Sequence, residues 1–183
     1  MMSSETHSSS NERIIALPPV LPSKPQVLIL GSVPSEISIK VQQYYGNPRN
    51  HFWRIMFHLF GKGDVPNSYA EKLKLLHQHH VALWDSIASC KRKGSLDHTI
   101  TEEIPNAIPE LLKKYPTIRV VGCNGTKSHQ VFRKTFGKMD LGEVQAIKLP
   151  STSPIPGRYT KNFEGKLEAW QVILRYLDKV VED

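Results

Sequence analysis

The segment "YYGNPRNHFW", Tyr44 to Trp53, sets two tyrosines, two asparagines, an arginine, a histidine, Phe52 and Trp53 around one glycine and one proline. Flat rings can stack on a flat ligand, and amides both donate and accept hydrogen bonds. Asn50 can hold a water through its carbonyl oxygen while its NH₂ donates to a substrate; equally, it can cap the helix that starts at His51. Four further stretches share a composition: "GSVPS" (31–35), the residues after "LWD" (83–85), "GCNGTKS" (122–128) and "PSTSPIPGRY" (150–159). Their short side chains expose backbone N–H groups and suit a phosphate or a base. Ordinary turns use the same residues, so the weight lies in finding four such loops beside one ring-rich segment.

Other chemistries lack their motifs. No GxxxxGK[ST] or GxGxxG loop is present, which argues against a nucleotide-binding enzyme of those kinds. Cys90 and Cys123 form no CxxC, and His77, His79 and His80 lack any accompanying ligand pattern. A disulfide framework, a zinc site and an iron–sulfur cluster are therefore not expected. The histidines read as a solvated helix end, and no cofactor is expected.

The elements that would carry these loops are legible from periodicity. "QVLIL" (26–30) is a continuous apolar run between Pro25 and Gly31, the pattern of a strand buried on both faces. "VALWD", "IRVVGCN" and "VQAIKLP" are three further strands. Helices are expected over 51–59, over 68–79 with Ser68 and Glu71 as a capping box, over 106–115, over 125–137 and over 161–181. The alternation predicts an α/β fold, a three-layer α/β/α sandwich around a central, largely parallel four-stranded sheet. In such sheets ligands sit outside the carboxyl ends of the strands, where the four loops fall.

The 183 residues suffice for one domain. Residues 1–25, Ser-rich and then Pro-rich, are expected to be disordered or extended, with the domain at 26–183. The formal net charge of +7 is compatible with an anionic partner, nucleic acid first. No apolar run reaches the ~18 residues of a membrane span, and the polar N-terminus is unlike a secretory signal. A soluble intracellular protein is expected, cytoplasmic, or nuclear in a eukaryote.

"GSVPS", "YYGNPRNHFW", "LWDSIASCKRKGSLDHTI" and "LPSTSP", in that order and spacing, resemble the uracil-DNA glycosylase superfamily, above all its hypoxanthine-DNA glycosylase branch. The resemblance runs from about Val27 to the closing helix. It implies a small α/β/α sandwich that flips a deaminated base from DNA and hydrolyses its glycosidic bond, as a monofunctional enzyme, a monomer, without metal or cofactor. Mismatch-specific relatives carry a water-positioning asparagine where Val33 stands here; in the hypoxanthine branch that role falls to the asparagine of "PxNxFW", which is Asn50. By the same resemblance Tyr45 stacks on the flipped base. Asp85 accepts from the base or caps the next helix, and Gly31 and Ser32 bring backbone donors to it. Ser151, Thr152, Ser153 and Arg158 meet the DNA backbone and the gap. Lys91 and Arg92, with Lys93, form a basic turn that contacts phosphate or is simply solvated. The family's histidine after the last strand is missing. Uracil as the substrate, or an inactive DNA-binding module, are the alternative readings.

Overall fold

The computed structural model describes residues 12–155 and 161–178. Four parallel strands form the central sheet in the order β3-β2-β6-β7: β2 Val27–Gly31, β3 Val81–Asp85, β6 Val120–Asn124 and β7 Gln145–Leu149. Every residue of β2 is buried, which explains its unbroken apolar run. Alternate side chains feed two cores, because successive residues of a strand point to opposite faces. Val27 and Ile29 pack with α2 (Phe52–Leu59), α3 (Tyr69–Gln78) and α6 (Phe163–Trp170). Leu28 and Leu30 pack with α4 (Ile108–Lys114) and α5 (Thr126–Phe136). The result is the three-layer sandwich expected.

The chain holds more than that plan. A second, antiparallel sheet runs β1-β4-β5, from Ile14–Ile15, Ile87–Lys91 and Thr101–Pro105. The expected basic turn is therefore partly strand. β5, "TEEIP", is largely exposed and shows no apolar alternation, so periodicity does not reveal it. The domain boundary also moves upstream from residue 26. Ile14 pairs with Cys90, Leu17 is buried, and Val20 exchanges backbone hydrogen bonds with Leu83. A short helix α1, Glu36–Val41, follows "GSVPS", capped by Ser35. The closing helix is shorter than expected: α6 starts on the cap Asn162 and passes into a 3₁₀ turn at Gln171–Tyr176. The Ser68–Glu71 cap forms as expected, the Glu71 N–H donating to Ser68 Oγ at 3.3 Å. Among the described residues no helix is long and apolar enough to cross a membrane, and no group of three or more metal-ligating side chains gathers.

Candidate active site

A cavity of about 420 Å³ opens at the carboxyl ends of β2, β3 and β6. Gly31, Ser32, Tyr45, Asn50, Asp85, Arg92, Ser151, Thr152 and Ser153 line it, nine positions drawn from four separate stretches of the chain. The in-register pair Gly31↔Asp85 puts the floor together. A Cβ on Gly31 would overlap Asp85 Oδ1 and come within 3.3 Å of Tyr45 Oη. Only a glycine lets the carboxyl and the phenol close over this strand end.

Asp85 is 3% exposed, and neither carboxyl oxygen has a hydrogen-bond partner among the described residues, Oδ2 being fully buried. A buried unpaired carboxylate is costly. Its pKa is pushed up to about 7 by burial, opposed by Arg92 and reinforced by Asp97. Helix capping does not explain this side chain. It is the adjoining backbone carbonyl of Asp85, not its carboxyl, that Asn106 Nδ2 holds at 2.8 Å.

Tyr45 has φ 53°, a left-handed backbone that costs a bulky residue ~1–3 kcal/mol. Two contacts hold it there. Its ring stacks on Phe52 with centroids 4.0 Å apart, and Oη accepts from Asn124 Nδ2 at 3.1 Å. The rest of the aromatic segment is structural: Tyr44 donates to Pro18 O at 2.8 Å, and Trp53 Nε1 donates to Tyr44 O at 3.0 Å.

Asn50 Oδ1 accepts from the Phe52 N–H at 2.9 Å. The asparagine thus caps α2 from just outside it, while His51, at the N-cap position, makes no side-chain cap. That bond orients the amide and leaves a second lone pair on Oδ1 uncommitted among the described residues, in a side chain that lines the cavity.

The loop after β7 divides differently from expectation. Thr152 is 1% exposed. Its N–H donates to Asn124 Oδ1 at 3.0 Å, its Oγ1 accepts from Asn124 Nδ2 at 3.0 Å, and its carbonyl accepts from the His51 N–H at 3.0 Å. Thr152 therefore ties three loops together. Ser151 is exposed and Ser153 half-buried. Arg158 lies outside the described residues.

The basic turn is not uniform. Lys91 Nζ lies 2.8 Å from Glu102, and Lys127 Nζ lies 3.1 Å from Glu103. Arg92 is 8% exposed and faces the cavity, its Nε donating to Gly94 O at 2.7 Å. Ser32 uses its hydroxyl on Asp97 Oδ1 at 2.9 Å. Val33 is buried with Ile87, Cys90, Ile100 and Val131.

Two supporting residues escape a reading by pattern. Asn124 looks like loop chemistry, yet both ends of its amide are committed to Tyr45 and Thr152. Lys166 looks like a surface lysine of an amphipathic helix but is 2% exposed. Its Nζ lies 3.2 Å from His51 Nδ1 and donates to Ser153 O at 3.3 Å. Burial and the Lys166 charge hold the His51 pKa below its ordinary value.

This geometry has relatives. The chain is 36% identical over 159 residues to the hypoxanthine DNA glycosylase of Methanosarcina acetivorans, covering 87% of this chain and 96% of that one. It is 37% identical over 111 residues to the protein of that name from Methanosarcina barkeri, covering 61% and 70%. A solution NMR structure from Methanosarcina acetivorans, described as a candidate uracil DNA glycosylase, superposes with a TM-score of 0.73 at 35% identity, covering 89% of this chain and 99% of that one. The family model of the uracil DNA glycosylase superfamily matches residues 18–174, and the chain belongs to that superfamily.

Proposed function

We propose that this protein removes hypoxanthine from DNA by hydrolysing the N-glycosidic bond of deoxyinosine, leaving an abasic site. The observation that carries the reading is the buried, unpaired Asp85 carboxyl in the cavity of a chain 36% identical to a hypoxanthine DNA glycosylase. Hypoxanthine presents an N1–H donor, and adenine presents a bare N1 acceptor. A buried acceptor fixed in the pocket takes the first and is left unpaired by the second, which discriminates strongly.

In this reading the flipped base lies against Tyr45, whose own ring is backed by Phe52. Bond breaking builds positive charge on the deoxyribose and negative charge on the base. Asn50, oriented by the Phe52 N–H, holds the water that attacks C1′. The attack at C1′ needs only Asn50 and that water. Ile155, 47% exposed at the rim, fills the gap left in the duplex, and Ser151 and Ser153 meet the backbone. In this reading the protein acts as a monomer.

Uracil is the second reading, favoured by one chemical fact: its N3–H and O4 offer the same donor–acceptor pair. Duplexes carrying a single inosine or uracil, incubated with the protein and then cleaved with alkali, separate the two. Inosine strands are expected to break faster. If every strand stays intact, the glycosylase reading fails.

Gly31→Ala tests the cavity floor. The added methyl overlaps Asp85 Oδ1, so inosine excision should fall at least about tenfold, while overpacking destabilises the fold by only about 1–3 kcal/mol. Unchanged single-turnover rates would show that the carboxyl's position does not matter.

A further inference from the structure

Arg92 is an unusual arginine. It sits just past β4 at 8% exposure, and its Nη2 is buried without any hydrogen-bond partner. A guanidinium is strongly charged and has five N–H donors, so an unmatched buried N–H is expensive unless something else fills the place. The nearby anions do not fill it. Ion pairs among the described residues join Lys91 to Glu102, Arg119 to Asp178 and Lys127 to Glu103. No Arg92 nitrogen therefore lies within 4.0 Å of the Asp85, Asp97 or Glu36 carboxyl oxygens.

Asp85 is the mirror case. It is a buried acceptor without a donor, lining the same cavity. Two complementary groups, both more than nine-tenths buried, face one space and do not satisfy each other. A ligand offering a donor beside an acceptor would satisfy both at once.

We propose that Arg92 is a specificity-determining residue that donates to the O6 carbonyl of the flipped base while Asp85 accepts from N1–H. This inference rests on the reading of the chain as a hypoxanthine glycosylase. Arg92 is held in place beside the cavity it lines, because Nε is anchored on Gly94 O at 2.7 Å. It also answers an electrostatic difficulty. An ionised Asp85 accepts well from N1–H but repels the negative charge that grows on the departing base. A guanidinium on the neighbouring O6 offsets that repulsion, and its effect is greatest in the transition state. Adenine carries an NH₂ at C6, which would point a donor at a donor.

The test compares two bases in otherwise identical duplexes: deoxyinosine, and 6-thiodeoxyinosine, which keeps N1–H but carries a weakly accepting sulfur at C6. Single-turnover excision is measured for the parent, Arg92→Gln and Arg92→Lys, with thermal melts to establish folding. Arg92→Gln is expected to narrow the inosine-over-thioinosine preference by about fivefold or more. The loss should fall on the excision rate more than on DNA affinity, and Arg92→Lys should restore part of it. If both bases lose the same factor, or neither loses any, Arg92 does not read O6 and the inference fails. Should Arg92→Gln not fold, the same ratio measured with Arg92→Lys decides it, an unchanged preference being the overturning result. A parent protein that leaves inosine intact sinks the glycosylase reading instead, so the two failures are distinguishable.

Discussion

Replacing Asn50 by alanine is expected to cut inosine excision by about a hundredfold or more while DNA affinity changes little. The amide lines the cavity and is held by the Phe52 N–H at 2.9 Å. A positioned water gains its effect from a fixed geometry, and a methyl group cannot hold one. Asn50 also caps α2, so Asn50→Ala will destabilise the fold by about 1 kcal/mol on that account alone. Asn50→Ser separates the roles. A serine hydroxyl can still accept from the Phe52 N–H, yet it lacks the amide. If Asn50 is catalytic, Asn50→Ser folds like the parent and remains inactive. If its duty is only the cap, Asn50→Ser excises at the parent rate. Single-turnover assays with chemical denaturation of each variant make the distinction.

Asp85→Asn should do two opposite things, removing hypoxanthine selectivity and stabilising the protein at alkaline pH. The carboxyl titrates at about 7 in the fold instead of 3.8, and the groups that face it are Arg92, Asp97, Tyr44 and Tyr45. A raised carboxyl pKa means that the folded state favours the protonated form. Between about pH 4 and 7 the unfolded chain is ionised while the fold holds the proton, so stability falls as pH rises. Above about 7 the full penalty is present, with a ceiling of about 4 kcal/mol. Asparagine carries no such penalty. Urea unfolding should therefore show Asp85→Asn more stable than the parent at pH 8, with the difference vanishing toward pH 4. Equal stability at pH 8 would mean that the carboxyl is better solvated than its burial indicates.

Catalysis should run the other way. The ionised carboxylate accepts from N1–H and the protonated form does not accept as well, so inosine excision by the parent should rise as pH passes through about 7. Asp85→Asn should lose that limb of the profile. It should also discriminate less against adenine, since an amide can turn its NH₂ toward a bare N1. A pH limb that survives the substitution would assign the titration to another group.

The motif order is readable along the chain, and so are the four parallel strands. β2 and its neighbours are short apolar runs ended by small residues, and burial on both faces leaves that signature. Their carboxyl ends carry Gly31, Asp85, Asn124 and the loop after Leu149, so the position of the site follows from topology without knowledge of any contact. The antiparallel sheet is not legible in the same way. "TEEIP" is held by backbone pairing to β4, and an exposed edge strand needs no apolar pattern.

Local sequence thus determined which residues would gather at one end of the sheet; the tertiary structure decided what each is free to do there. "CKRKG" reads as one charged turn, yet Lys91 is paired, Lys93 is exposed and Arg92 is buried facing Asp85's cavity. "PSTSP" reads as a row of hydroxyls, yet Thr152 is consumed by Asn124, 28 positions away. Asn124 in turn steadies Tyr45 across 79 positions. Residue type and spacing specify what a side chain can donate or accept. Whether that capacity is already satisfied depends on partners brought near only when the chain closes, and an unsatisfied buried group lining the cavity is the one left for a ligand.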